Sequence, residues 1–179
     1  PAAGSIPLVC DTSSNFLSRP INVGRYGMIY ACAQKNAGIA GVTLCITRDD
    51  LLDRAPTNLA PMLDYKLQAE NDSLYNTPPV FGIYVMMLIA RWIKQDVGGL
   101  DAMARHNQQK AKLLYDVLDA HPDFYRGHAK RDSRSQMNVT FRLPSEDLEK
   151  QFVKEGEDRG LDGLKGHRSV GGIRASIYN

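Results

Sequence analysis

Tyr30-Ala31-Cys32-Ala33-Gln34-Lys35-Asn36-Ala37-Gly38-Ile39-Ala40-Gly41 puts one lysine at the end of an apolar run, among small residues, with two glycines behind it. Gly27-Met28-Ile29-Tyr30 precedes it and Val42-Thr43-Leu44-Cys45-Ile46-Thr47 follows. Both flanks have the pattern of short buried strands bounded by turn residues. Lys35 is therefore expected where one strand hands over to the next, in a tight and mostly apolar place. Burial disfavours an ammonium, and a neutral amine can condense with an aldehyde to give a Schiff base. The same stretch also reads as a surface lysine in a glycine loop, and taken alone it leaves both readings open.

The 179 residues suit one ordinary domain or parts of two. With 43% hydrophobic and 23% charged residues, a packed core is expected and disorder is not. A net charge of +2 is too mild to argue for nucleic acid or a membrane surface. No apolar run reaches spanning length, and no signal peptide stands at the start. Cys10, Cys32 and Cys45 fall in apolar runs without a C-x-x-C, so they are expected to be reduced core thiols of a cytoplasmic protein, with no metal site. The chain begins without methionine, enters a strand-like run at residues 6–10 and stops straight after another. It is therefore expected to be a fragment, with material missing on both sides.

Asp11 ends the first apolar run and is followed by the polar turn Thr12-Ser13-Ser14-Asn15. An acid at the carboxyl end of a buried strand stands where α/β sheets place ligand contacts, and equally where an aspartate caps its own turn. Strands are expected over residues 28–33 and 42–47, then a short helix from Arg48, with Pro56 and Pro61 breaking regular structure over residues 53–64. Asn76-Thr77-Pro78-Pro79 signals a helix start, with Thr77 as N-cap and Pro78 in the first position. That helix should run from Pro78 to Val97 and end at Gly98-Gly99. Its free N–H groups, with Asn76 and Thr77, suit either a phosphate clamp or plain capping. A second helix over residues 100–120 carries Leu100, Met103, Ala104, Asn107, Ala111, Leu114 and Leu118 on one face and reads as scaffold.

Beyond residue 121 the pattern changes to short strands and one helix. Phe124-Tyr125 reads as a weak strand, residues 130–134 as a basic loop, residues 137–143 as a half-buried strand, and residues 145–159 as a helix capped by Ser145. The last stretch, Lys165-Gly166-His167-Arg168-Ser169-Val170-Gly171-Gly172-Ile173-Arg174, sets two arginines either side of a double glycine. Arginine suits bidentate capture of carboxylate or phosphate, and the stretch reads either as one side of an anion pocket or as a basic surface hairpin.

These pieces complement one another. A Schiff-base lysine suggests pyridoxal 5'-phosphate, which needs an acid for its ring nitrogen, donors for its phosphate and cations for an anionic substrate. Cys10-Asp11-Thr12-Ser13-Ser14-Asn15, Ala33-Gln34-Lys35-Asn36, Leu74-Tyr75-Asn76-Thr77-Pro78 and the run from Gly166 to Asn179 together resemble the phosphoserine aminotransferases, class V, fold-type I enzymes dependent on pyridoxal phosphate. The likeness covers nearly the whole chain, and the final motif is its most specific part. Thr12 stands where that family more often has methionine.

The resemblance implies an α/β fold. Residues 1–98 would be the remainder of a large, mainly parallel-sheet cofactor domain, residues 99–120 a connecting helix, and residues 121–179 a truncated α+β C-terminal domain. It implies that Lys35 forms the Schiff base and shuttles the proton, that Asp11 pairs with the ring nitrogen and that Gln34 touches the cofactor phosphate. Asn76 and Thr77 would do the same from the partner subunit of a homodimer. Arg174 would hold the substrate α-carboxylate, and His167 and Arg168 the distal phosphate or carboxylate. The implied reaction moves the amino group of L-glutamate to 3-phosphohydroxypyruvate, in serine biosynthesis. The family's N-terminal half and closing helix have no counterpart here, so the polypeptide alone is expected to be inactive. The rivals are another class V enzyme, such as an alanine–glyoxylate aminotransferase or a cysteine desulfurase, and a non-catalytic dimerising piece. His167-Arg168 argues against the first, because a site for small neutral side chains needs no extra cationic pair.

Overall fold

The structure is a computed structural model that describes residues 4–179. The chain forms two compact units that divide between Gly98 and Gly99. Both glycines have positive φ, +91° and +93°, a backbone that residues with a side chain rarely adopt.

The first unit holds a three-stranded sheet in the order β1 (Val9–Asp11), β2 (Met28–Cys32), β3 (Thr43–Thr47). β1 and β2 are parallel, and β2 and β3 antiparallel. Strand β2 alternates as a half-buried strand should, with Ile29 and Ala31 buried and Met28, Tyr30 and Cys32 partly covered. The register sets Asp11 beside Tyr30, and Tyr30 beside Cys45. These three residues therefore stand in a row on one face of the sheet.

Three helices follow: α1 (Asp49–Leu52), α2 (Tyr65–Glu70) and α3 (Val80–Trp92). Asp49 and Asp50 open α1, where the helix dipole favours acids. Asp64 caps α2, accepting from the N–H groups of Lys66 and Leu67. Helix α3 continues through a π-helical turn (Ile93–Val97) to Gly98. It packs through Gly82, where a Cβ would come within 2.6 Å of the Val42 side chain. That contact brings α3 against the loop that follows Lys35.

The second unit opens with α4 (Leu100–Ala120) and continues with β4 (Arg126–Gly127), β5 (Asn138–Arg142), α5 (Glu146–Glu157), β6 (Lys165–His167) and β7 (Gly171–Ser176). The strands form an antiparallel sheet in the order β4-β5-β7-β6. Val139, Phe141 and Ile173 face the core with Leu118 of α4, and Leu148, Phe152 and Val153 of α5 pack against them. Tyr125, Phe141 and Phe152 interlock edge to face, with centroids 5.5 and 5.8 Å apart. Asn107 donates to Asn179 Oδ1 and Lys110 Nζ to the carbonyls of Ile177 and Tyr178, so α4 also holds the last three residues.

Several expectations are corrected. The first strand is Val9–Asp11 rather than residues 6–10. Thr77 does not cap α3; its N-cap is Pro79, with no side-chain bond. The residue before a proline is steered away from helical backbone, so two consecutive prolines push the start to Val80. Phe124 and Tyr125 sit in a turn, both N–H groups donating to the His121 carbonyl, and pairing begins at Arg126. Helix α2 and the 3-10 turn at Pro61–Leu63 occupy a region expected to be irregular. The three cysteines are half-buried thiols at the sheet, not core residues.

Candidate active site

In the first unit the acid-bearing loop is stapled to the lysine-bearing turn. The Thr12 N–H donates to the Tyr30 carbonyl at 2.8 Å, and the Cys32 N–H to Ser13 Oγ at 3.0 Å. Asn36 Nδ2 donates to the Ser14 carbonyl at 3.1 Å, and Lys35 Nζ to Ser14 Oγ at 2.8 Å. Each strand end thus supplies groups to the other. Two consequences of parallel β1/β2 pairing follow: both loops emerge at the same end of the sheet, and Asp11 and Lys35 come near one another.

Asp11 Oδ1 accepts from the Ser13 N–H at 2.8 Å. Its carboxyl is held below the usual carboxylate range, chiefly by the Ser13 hydroxyl and N–H, with smaller help from the Tyr30 hydroxyl and the Lys35 charge, against the pull of burial. Tyr30 is pushed up, first by the negative charge of Asp11. Asp11 therefore closes its own turn and is also an exposed anion near the Lys35 amine.

Lys35 departs from expectation. It lies in the turn after β2, as anticipated, but Gln34 and Lys35 are both exposed while Ala33, Asn36 and Ala37 are buried. The small residues around the lysine are the packed ones, and the turn aims the amine outward. Asn76 and Thr77 are exposed, and Asn76 Nδ2 donates to the Thr77 carbonyl.

In the second unit, β6 and β7 form a hairpin with Arg168, Ser169 and Val170 in its turn. His167 Nδ1 accepts from the Ser169 N–H and lies 2.8 Å from Ser169 Oγ. Arg168 is exposed, with no ion pair among the described residues. Arg174 sits opposite Thr140 on β5, half-buried, and its Nε is buried without a hydrogen-bond partner. A buried donor left unpaired is unusual in a folded chain. Reading the sequence did not single out Ser14, although it lay within a run noted for its hydroxyls. It also passed over Tyr30 and Glu149, which no local motif marks.

An amine and a carboxylate on adjoining strand-end loops, in an α/β fold, are the groups of a lysine-centred transferase. The chain belongs to the class-V aminotransferases: the model of that family, aminotransferase class-V, matches residues 3–179. Within that family it is similar to the phosphoserine aminotransferases. That of Desulfatibacillum aliphaticivorans is 56% identical over 179 residues, 100% of this chain and 49% of that protein. The solved structure from Bacillus circulans subsp. alkalophilus has a TM-score of 0.94 at 53% identity, covering 99% of this chain and 49% of the other. The PLP-bound enzyme from Trichomonas vaginalis has a TM-score of 0.90 at 44% identity, covering 98% and 50%. The chain spans about half the length of the curated relatives it matches.

Proposed function

We propose that the chain is part of a pyridoxal-phosphate-dependent aminotransferase of serine biosynthesis. It moves the amino group of L-glutamate to 3-phosphohydroxypyruvate, giving O-phospho-L-serine and 2-oxoglutarate. The observation that carries this reading is the Asp11–Lys35 pair, a low-pKa carboxylate and an exposed amine on two loops tied by Ser13, Ser14 and Asn36. The groups of the first unit fit the cofactor, since a primary amine beside an anion is the chemistry it requires.

When bound, pyridoxal phosphate supplies an aldehyde for a lysine and an aromatic ring that accepts the electron pair released at the substrate Cα. Lys35 would offer the amine and, when free, move a proton between the substrate Cα and the cofactor's C4′ carbon. Asp11, ionised at neutral pH, holds a proton on the ring nitrogen by its charge. Gln34, with Asn76 and Thr77 of a second subunit, gives donors to the cofactor phosphate. Arg174 binds the α-carboxylate. His167 and Arg168 bind the distal phosphate of one substrate and the side-chain carboxylate of the other, which explains the further histidine and arginine in the same motif. The assembly is a cytoplasmic homodimer with the site at the subunit interface.

Incubation with pyridoxal phosphate, borohydride reduction and peptide mass mapping test this. The expected result is a tag concentrated on Lys35, with an absorbance band at roughly 400–430 nm before reduction that Lys35→Ala lacks. A tag spread evenly over surface lysines overturns the reading.

A further inference from the structure

A groove of about 550 Å³ lies between α5 and the β6–β7 hairpin, lined among others by Arg142, Glu149, His167, Arg168, Gly171 and Gly172. Gly171 and Gly172 have φ of +74° and +75°, and a Cβ at Gly172 would lie 2.8 Å from the Phe141 carbonyl oxygen. The return strand thus begins with two residues that have no side chain and tolerate many conformations. Nothing in their own chemistry fixes the angle at which the His167–Arg168 turn leaves the sheet.

Glu149 supplies that constraint from α5. Its Oε2 accepts from the Gly172 N–H at 3.1 Å, and its Oε1 from the Leu143 N–H at 3.3 Å. The Arg142 guanidinium lies 3.8 Å from Oε1 and also donates to the Val170 carbonyl. One carboxylate therefore joins the end of β5 to the start of β7, and its arginine partner holds the last residue of the turn. The Glu149 side chain is only 12% exposed, so these donors rather than water are its partners.

We propose that Glu149, acting with Arg142, is a positioning residue for anion recognition. It locks the glycine pair so that the turn carrying His167 and Arg168 is preorganised for a phosphate-class oxyanion. This rests on the proposed role of His167 and Arg168 and adds the residue that sets their geometry. A preorganised His167–Arg168 turn loses less freedom on binding and so binds more tightly.

The test titrates inorganic phosphate into the full chain, following the His167 ring resonances, and measures hydrogen exchange at the Gly172 amide. Glu149→Ala, Glu149→Gln and Arg168→Ala are compared with the parent, with circular dichroism confirming that each is folded. Glu149→Ala is expected to weaken phosphate roughly tenfold or more and to speed Gly172 exchange about as much. Glu149→Gln keeps one acceptor and should fall between it and the parent. Unchanged Gly172 exchange in Glu149→Ala, or parent-like phosphate binding in both Glu149 variants, overturns the clamp. Parent-like binding in Arg168→Ala, or none in the parent, instead overturns the proposed role of the hairpin, and Gly172 exchange then decides the clamp alone.

Discussion

Asp11 and Lys35 illustrate how much one hydroxyl can settle. Ser14 Oγ is the hydrogen-bond acceptor for the exposed Lys35 amine, and Asn36 fixes the Ser14 backbone from the other side. Ser14→Ala should therefore free the Lys35 head without unfolding the chain. In ¹⁵N spectra the Lys35 ammonium signal should be lost to faster exchange, and Ser14→Thr should restore it. Asp11 carries a pH prediction. Its folded pKa lies below the ordinary carboxyl value, so near pH 4 the unfolded chain binds more protons than the folded one. The Asp11 contribution to stability is complete above about pH 4 and is lost as pH falls through the lowered folded value. Denaturant midpoints of the parent and Asp11→Asn should differ at pH 7 and converge as the pH falls below the lowered folded value. The sequence showed an acid and an amine at strand ends; it could not show which of Thr12, Ser13 and Ser14 faces which partner, because three adjacent hydroxyls differ only in backbone direction.

At the scale of elements, the glycine positions make the sharpest claims. Gly172→Ala sets a Cβ against the Phe141 carbonyl at a positive φ and should cost about 1–3 kcal/mol, read as a lower melting temperature. Ser145 Oγ caps α5 by accepting from the Leu148 N–H at 3.3 Å, so Ser145→Ala should cost about 1 kcal/mol in the same measurement. Helices α4 and α5 were legible because apolar spacing and a cap are local signals. Their outcome shows the limit too: Lys110 lay off the apolar face of α4 in the sequence, yet it is half-buried on the Ile177 and Tyr178 carbonyls, and burial pulls its pKa down. The start of α3 was misplaced by competition between two proline effects, since Pro78 favours a first helical turn while Pro79 denies Pro78 helical backbone.

For the whole molecule, the informative feature is an uncovered surface on α3. Val80, Phe81, Ile83, Tyr84, Met87, Leu88 and Trp92 recur at helical spacing and are exposed, Phe81 at 69%. The proposed homodimer predicts that a second copy covers this stripe. Phe81→Glu should shift the sedimentation coefficient toward that of a single chain; an unchanged coefficient would place the dimer contact elsewhere. No described helix is long and apolar enough to cross a membrane.

By itself the sequence determined where most strands and helices form, where glycine breaks the chain between residues 98 and 99, and the motifs by which it resembles a lysine-centred transferase. Those signals are local: periods of two and 3.6 residues, caps, and motifs a few residues long. Only the tertiary structure decided that β7 lies between β5 and β6, that β1 runs parallel to β2, that Lys35 faces outward while its small neighbours pack, and that Glu149 reaches across to Gly172. Each of these depends on groups far apart in the chain meeting in space, and no stretch of a dozen residues records which distant partner will arrive.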